Sequence, residues 1–448
     1  MNSAALPELK PSHTPPTLPA AHDSDPWGWC LIIPLIFAAL ASVRLGTPSS
    51  PFFDEIHYLP AARDMLAALA GAEVPYANPE HPLLGKALIA AGIGIAGDNP
   101  FGWRIMSLIA GTIAVGASMR ALWFASEDRF ACVSFGVLLV TGFHLFVQSR
   151  IAMLDIFMVA FLAIAAWQFA GAINQPETGR RRLILTGIAI GCALGSKWNA
   201  VPMAALPGIV FFAARLTAGR RRLLLSRRGA PVPGITLVEA FVWLGILPLV
   251  TYAATFAPGY WLGNTFHPSP LLEHGLLGLH AQIIEMQQQV LSPHTYQSRW
   301  EQWASNTRGI WYLYENIDGA QRGVLLIGNP VTMIAGLAGL IWCGVVGILH
   351  SDWARRGVVI GYLVALGFWI IAPKPVQFYY HYVTPSLFLL AALALSLSDL
   401  REAGSSKLSY AVLAASVAIF AVFFPILTAA PLEGERSFEF WMWLDGWR

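Results

Sequence analysis

About eleven runs of 17–25 mainly apolar residues divide the chain, and no other feature constrains its fold so strongly. A helical run of that length matches the hydrocarbon thickness of a bilayer. Inside that layer each backbone N–H and C=O must be satisfied within the segment, which leaves the helix. The runs fall at about 28–46, 101–124, 130–149, 154–173, 183–198, 200–216, 235–256, 323–349, 357–373, 379–397 and 408–427. The fifth and sixth almost touch. Two further apolar stretches, 57–71 and 83–97, are short for a span and suit helices lying in the interface. Composition agrees, with 56% hydrophobic and only 12% charged residues. The expected fold class is an all-α polytopic membrane protein.

This reading divides the chain into five parts. They are a disordered tail at 1–26, a transmembrane module at 27–256, a loop at 257–322, a four-helix transmembrane module at 323–430 and an aromatic tail at 431–448. The N-terminal tail is rich in Pro, Ser, Thr and Ala, and lacks the basic start and short apolar core of a signal peptide. In the loop, Leu276, Leu279, Ile283, Met286 and Val290 recur at helical spacing, so an amphipathic helix is expected there. The segment 438-FEFWMWLDGW-447 suits an interfacial aromatic anchor or a partner contact. Cys30, Cys132, Cys192 and Cys343 lie in apolar runs without metal spacing and read as small buried hydrophobes.

Basic residues set the orientation. With a cytoplasmic N-terminus, the loops on that side are 120–129, 174–182, 215–234, 350–356 and 398–407. They hold Arg180, Arg181, Arg182, Arg215, Arg220, Arg221, Arg222, Arg227, Arg228, Arg355, Arg356, Arg401 and Lys407. The opposite loops hold fewer, so the positive-inside rule favours this orientation. The long loops 47–100 and 257–322 then face outward.

Ionisable residues collect at the outward ends of the spans, where a scaffold has no use for them. The stretch 52-FFDEIHY-58 carries adjacent Asp54 and Glu55, and 80-EHPLLGK-86 carries Glu80, His81 and Lys86. Successive helical side chains point about 100° apart, so one acid can act on a substrate while the other fixes a second group. A carboxylate there can serve as a general base. The pair reads equally as a solvated helix start. Arg104 follows 98-DNPFGW-103, and Lys197 lies in 195-GSKWN-199. Both suit a lipid phosphate, or simply snorkel to headgroups. Aromatics with His and Arg in 293-PHTYQSRWEQW-303 suit either sugar binding or an interfacial belt. Lys374 and His381 join the outward group. No G-x-G-x-x-G opens a helix after a strand, and no P-loop is present. A transporter or flippase is the non-enzyme alternative; such proteins carry key charges near the midplane and often show repeats, and neither is seen here.

Together, FFDEIHY, EHPLLGK, 150-RIAMLDIF-157, GSKWN, 292-SPHTYQSRWEQW-303 and 378-FYYHYVTP-385 resemble, in order, the protein O-mannosyltransferases. These are GT-C membrane glycosyltransferases that use a polyprenyl-phosphate sugar. The resemblance runs from about residue 50 to about 390. It implies a GT-C fold of about eleven transmembrane helices with amphipathic helices on the outer face of a bacterial plasma membrane. It implies transfer with inversion, most simply of mannose, to Ser or Thr hydroxyls of proteins. Asp54 matches the catalytic base and Glu55 the neighbour that helps hold the acceptor. Arg104 and Lys197 match residues gripping the donor phosphate, and His81 falls near the donor. For Arg150, Asp155, His294, Arg299, Trp300 and His381 the resemblance implies a pocket role without a defined task.

The resemblance requires neither an obligatory cofactor nor a metal. A divalent ion stays open on Asp54 or Glu55 with His57, or on Glu80 with His81. The implied partners are the lipid-linked donor, an acceptor and membrane lipids, with no nucleic acid and no sign of oligomeric state. The β-trefoil domain of the eukaryotic members has no room in 257–322, and Leu83 replaces the second Pro of the usual His-Pro-Pro. The chain thus looks like the short bacterial members. The sister reading is transfer to a lipid or cell-wall glycan, as in the aminoarabinose transferases that share the fold; SPHTYQSRW favours the protein-modifying branch.

Overall fold

The computed structural model describes residues 23–219, 223–288, 292–372 and 374–448. In chain order the helices are α1 (Trp29–Ser42), α2 (Glu55–Leu69), α3 (Leu83–Ala96), α4 (Pro100–Ser126), α5 (Arg129–Thr141), α6 (His144–Gln148), α7 (Leu154–Asn174), α8 (Gly179–Ser196) and α9 (Val201–Gly219). Then come α10 (Leu237–Phe241), a π turn, α11 (Leu247–Ala254), α12 (Ala257–Trp261), α13 (Pro270–Gln287) and α14 (Trp300–Ala304). A hairpin follows, β1 (Ile310–Ile317) and β2 (Ala320–Leu326), and then α15 (Pro330–Leu349), α16 (Trp353–Ile371), α17 (Val383–Glu402) and α18 (Ser406–Leu427).

Every expected apolar run contains helix, and eight helices among the described residues are long and apolar enough to cross a membrane. Trp29–Ser42 and Arg129–Thr141 are shorter apolar helices, as is Leu83–Ala96. The run 130–149 is interrupted between α5 and α6, where Phe143 takes a left-handed φ of 72°. The short stretches near 57–71 and 83–97 form α2 and α3, which pack together beside α4.

Small residues let the first module close. Gly187, Gly191 and Gly195 recur every fourth residue along α8, and α8 packs on α11. A Cβ on Gly187 would sit 2.1 Å from Trp243 O, and one on Gly191 2.6 Å from Pro248 O. Only a bare backbone allows so close an approach, the usual device where helices meet in a membrane. α7 packs against both α4 and α8, while α17 packs on α5, α15 and α16, joining the two modules.

Three expectations are corrected. The loop 257–322 does contain a helix, α13, with a break at Gly275, but it ends in a β-hairpin that the helical reading did not include. Residues 323–326 are therefore strand, and the span expected from 323 starts at Pro330. Asp318 and Gly319, both at positive φ, turn the hairpin. The aromatic tail is no simple interfacial anchor. Trp447 is buried, its Nε1–H donating to Asn306 O at 2.7 Å, while Trp311 Nε1–H on β1 donates to Trp447 O at 3.0 Å. Phe440 and Trp443 remain exposed. The expected disorder of 1–26 lies outside the described residues as far as 22. Residues 23–26 are tied down, Arg120 pairing with Asp25 and the Arg129 N–H donating to the Asp23 carboxylate at 3.0 Å. Val290 and Arg220–Arg222 lie outside the described residues.

Candidate active site

The site forms where the starts of α2, α4, α7 and α17 meet the ends of α1, α8 and α16. Asn99 begins α4 by accepting the N–H groups of Phe101 and Gly102, with Pro100 in the first turn. Asp98 accepts Trp103 Nε1–H at 2.6 Å and pairs with Arg63 of α2 at 2.9 Å. The cluster 98-DNPFGW-103 thus fastens α2 to α4 and aims Arg104 inward.

Arg104 does not present a free cation. Its Nε–H donates to Glu55 Oε1 at 2.8 Å and one Nη2–H to Glu55 Oε2 at 2.9 Å. The remaining N–H groups donate to the carbonyls of Leu45, Pro48 and Ser50. All five donors of the guanidinium are in use. Glu55 also accepts the N–H of Ala152 at 2.9 Å and of Phe52 at 3.3 Å. Where a phosphate role was expected of Arg104 and an acceptor role of Glu55, the structure bonds the two to each other and to the surrounding backbone. The pair folds the segment 45–55 into a collar around a buried guanidinium.

Asp54 is what the collar presents. Its carboxylate is half-buried and has no hydrogen-bond partner among the described residues. Phe53, immediately before it, holds a left-handed φ of 50°. Its ring stacks on Tyr312 of β1 at 4.2 Å and meets Tyr380 edge-on at 6.0 Å. Burial pushes the Asp54 carboxyl above its ordinary range, with Lys197, His57 and Lys374 pulling it down and Asp155 adding to the rise.

Lys197 follows the last turn of α8 in extended conformation, which swings its side chain off the helix axis. Its Nζ bonds Asp155 Oδ2 at 2.7 Å and lies 5.1 Å from the Tyr380 ring centroid. Asp155 Oδ1 is buried without a partner among the described residues. The next residue, Trp198, donates to Tyr252 OH at 2.8 Å, and that hydroxyl is 2.6 Å from His280 Nε2 on α13. Further along α13, Gln287 Nε2 donates to Glu80 O at 3.2 Å. α13 thereby ties down two loops that carry site residues.

In the HPLLGK stretch, Lys86 is buried and its Nζ donates to the carbonyls of Asn78 and His81 at 2.5 and 2.9 Å. That fixes the backbone of His81, whose ring meets Tyr58 at 5.8 Å. Burial, then Lys197, Lys86, Lys374 and His57, hold the His81 imidazole well below its usual pKa, so it is neutral.

The remaining expected residues separate. His381 is buried among Trp369, Tyr380 and Trp303, at 3.8, 4.4 and 5.9 Å between ring centroids. Arg150 donates to the carbonyls of Ala41, Arg44 and Thr428, joining helix ends rather than facing the site. Arg299 is exposed and pairs with Glu301 at 3.1 Å. His294 is exposed, its ring centroid 5.1 Å from that of Phe378 in an edge-on contact, and Trp300 is half-buried. Within this stretch Trp303, not Trp300, packs on His381. Sequence reasoning gave no specific role to Phe53 or Lys374, and placed Tyr312 only among the loop aromatics of 311-WYLYE-315 that suit sugar stacking or an interfacial belt. Among the described residues no group of three His, Cys, Asp or Glu side chains is gathered as a metal site.

A polytopic helical bundle with an unpartnered carboxylate and lysines gathered at one end suits a GT-C membrane glycosyltransferase. Residues 90–264 match the family described as dolichyl-phosphate-mannose-protein mannosyltransferase, and residues 273–447 match the C-terminal four-transmembrane region of protein O-mannosyltransferases. The chain belongs to the protein O-mannosyltransferase family. The polyprenol-phosphate-mannose–protein mannosyltransferase of Mycolicibacterium smegmatis is 26% identical across 100% of this chain and 98% of its own length. The protein of that description from Mycobacterium tuberculosis is 26% identical across 94% of this chain and 92% of its own. The fold is similar to the Saccharomyces cerevisiae Pmt1–Pmt2 complex bound to the sugar donor, with a TM-score of 0.75 and 14% identity over 94% of this chain and 92% of that one. It is also similar to ArnT from Cupriavidus metallidurans bound to undecaprenyl phosphate, with a TM-score of 0.57 and 16% identity over 87% and 64%.

Proposed function

We propose that this chain transfers mannose from a polyprenyl phosphate to Ser or Thr hydroxyls of proteins, with inversion at the sugar carbon. The observation that carries the reading is the half-buried carboxylate of Asp54, without a hydrogen-bond partner among the described residues and acted on by the charges of Lys197 and Lys374. Asp54 takes the proton of the acceptor hydroxyl as its oxygen bonds to C1. The bond from C1 to the phosphate oxygen breaks, and the electron pair leaves with the phosphate. A base and cations gathered in one cluster suit a direct displacement, and the cations meet the charge that develops. The relatives named for polyprenol-phosphate mannose and for protein acceptors support this substrate pair.

The reaction faces the outside of a bacterial plasma membrane in this reading, with the N-terminus in the cytoplasm. Arg180, Arg181 and Arg182 open α8, about 27 Å of helix from Lys197 at its other end. Arg355 and Arg356 open α16, and Arg401 lies near the end of α17, each at the far end from the site. That distribution supports a cytoplasmic end opposite the carboxylate. Lysines supply positive charge for the departing phosphate in the proposed step.

The test is transfer of labelled mannose from polyprenyl-phosphate mannose, in membranes carrying the protein, to a Ser/Thr-rich peptide. The same peptide with every Ser and Thr replaced by Ala must stay unlabelled. Label appearing in lipid or glycan instead would move the acceptor to the sister branch, and an untouched donor would overturn the reading.

A further inference from the structure

A sugar phosphodiester carries one negative charge, and its departing phosphate monoester carries up to two. The site must therefore hold a cation able to reach that phosphate. Arg104, Lys86, Lys197 and Lys374 lie at the site with Arg150 nearby, and all but Lys374 are committed elsewhere. Arg104 spends every N–H on Glu55 and three carbonyls, and is fully buried. Arg150 donates to carbonyls where helices end. Lys86 is fully buried with its Nζ on Asn78 O and His81 O. Lys197 is bonded to Asp155.

Lys374 is different. It lies between the end of α16 and the Tyr379–Tyr382 turn that begins the next span. Its backbone is fixed, the N–H donating to Ala372 O at 2.8 Å and the carbonyl accepting from Gln377 Nε2 at 3.3 Å. Its Nζ has neither a hydrogen bond nor a carboxylate within 4.0 Å among the described residues, though the side chain is half-buried. The turn it leads into carries Tyr380, whose ring centroid lies 5.1 Å from Lys197 Nζ, and His381, and the Lys374 charge acts on Asp54, His81, Lys197, Asp155 and His381. A half-buried ammonium without a counter-ion is poorly solvated, and an arriving anion relieves that.

We propose that Lys374 grips the donor phosphate, with Lys197 as a second positive charge held in place by Asp155, while Arg104 takes no part in phosphate binding. This assignment rests on the polyprenyl-phosphate donor proposed above. As C1 accepts the acceptor oxygen and its bond to the phosphate oxygen breaks, the electron pair stays on that oxygen and Lys374 donates a charge-assisted hydrogen bond to it. Lys374 therefore bears on both donor affinity and rate. Burial holds the free ammonium below its ordinary pKa, so bound phosphate raises its proton affinity.

The experiment measures binding of a short-chain polyprenyl phosphate to the full-length protein in lipid nanodiscs. Unphosphorylated polyprenol and inorganic phosphate are the controls. Lys374→Met is expected to weaken polyprenyl phosphate binding by about tenfold or more, with polyprenol unaffected and Lys374→Arg restoring most of the loss. In transfer assays Lys374→Met raises KM for the donor and lowers kcat. Wild-type affinity in Lys374→Met, or an equal loss for polyprenol, would overturn the assignment. So would a Lys374-dependent phosphate site to which the lipid tail adds nothing. Binding needs neither sugar nor acceptor. A protein that binds polyprenyl phosphate through Lys374 but transfers no mannose refutes the proposed reaction and leaves this assignment standing.

Discussion

Arg104 and Glu55 face each other in a closed, doubly hydrogen-bonded pair, at 2.8 and 2.9 Å, with neither side chain exposed. Their bonds reach four further backbone groups in the collar, at Leu45, Pro48, Ser50 and Phe52, and one beyond it at Ala152. The pair shapes the loop that delivers Asp54, and it does so from behind the site.

Removing one partner leaves an uncompensated buried charge, which typically costs about 3–5 kcal/mol. Arg104→Ala and Glu55→Ala should each lose stability of that order, seen as a lower unfolding temperature in detergent. The folded fraction of Arg104→Ala should bind polyprenyl phosphate with unchanged affinity. Normal stability with lost donor binding would return Arg104 to the phosphate.

Phe53 is held in a left-handed backbone by its stack on Tyr312 and its contact with Tyr380. A non-glycine residue at positive φ stores strain that its surroundings must hold. An aromatic pair contributes about 0.5–1.5 kcal/mol beyond its buried area. Phe53→Ala should release the Asp54 backbone and lower kcat by about tenfold, a drop of the size that lost positioning gives, with KM for the donor little changed. Tyr312→Phe keeps the stack and loses only the bond from Gln148 Nε2 to the hydroxyl, so it should stay close to wild type. Steady-state kinetics of the two variants separates ring packing from the hydroxyl.

The pH profile follows from two groups shifted toward each other. Asp54 must be ionised to act as base, and burial raises its pKa, so kcat/KM should fall on the acid side above the ordinary carboxylate range. Lys374 must be protonated to meet phosphate, and burial lowers its pKa, so kcat/KM should fall on the alkaline side below the ordinary lysine range. In the donor complex the phosphate raises Lys374, so the alkaline limb of kcat should lie higher than that of kcat/KM. Coinciding limbs would remove the phosphate from Lys374.

The sequence announced the helices because a span must be long and apolar, and that pattern survives without knowledge of packing. The group around Asp54 was legible too, since charges at span ends need a reason. What stayed hidden was how each charge is used. Arg104 and Lys197 look alike as cations beside motifs, and only the carbonyls of Leu45, Pro48 and Ser50 show that one has no donor left. The hairpin carried a local signal, Asp318-Gly319 between apolar runs, but the apolar residues of β2 run toward α15 and read as the start of a span. Trp303 and Trp300 lie three residues apart on one helical turn, so the sequence alone did not say which of them meets His381. Lys374 belongs to no motif, and its importance comes from the partners it lacks.

The most direct test of the account is Asp54→Asn, which keeps size and polarity and removes only the base. With labelled polyprenyl-phosphate mannose and a Ser/Thr peptide, the variant should bind donor as wild type does. Its transfer rate should fall by about 10²–10⁴-fold. Transfer at the wild-type rate in Asp54→Asn, with donor bound normally, would contradict Asp54 as the base and with it the central claim.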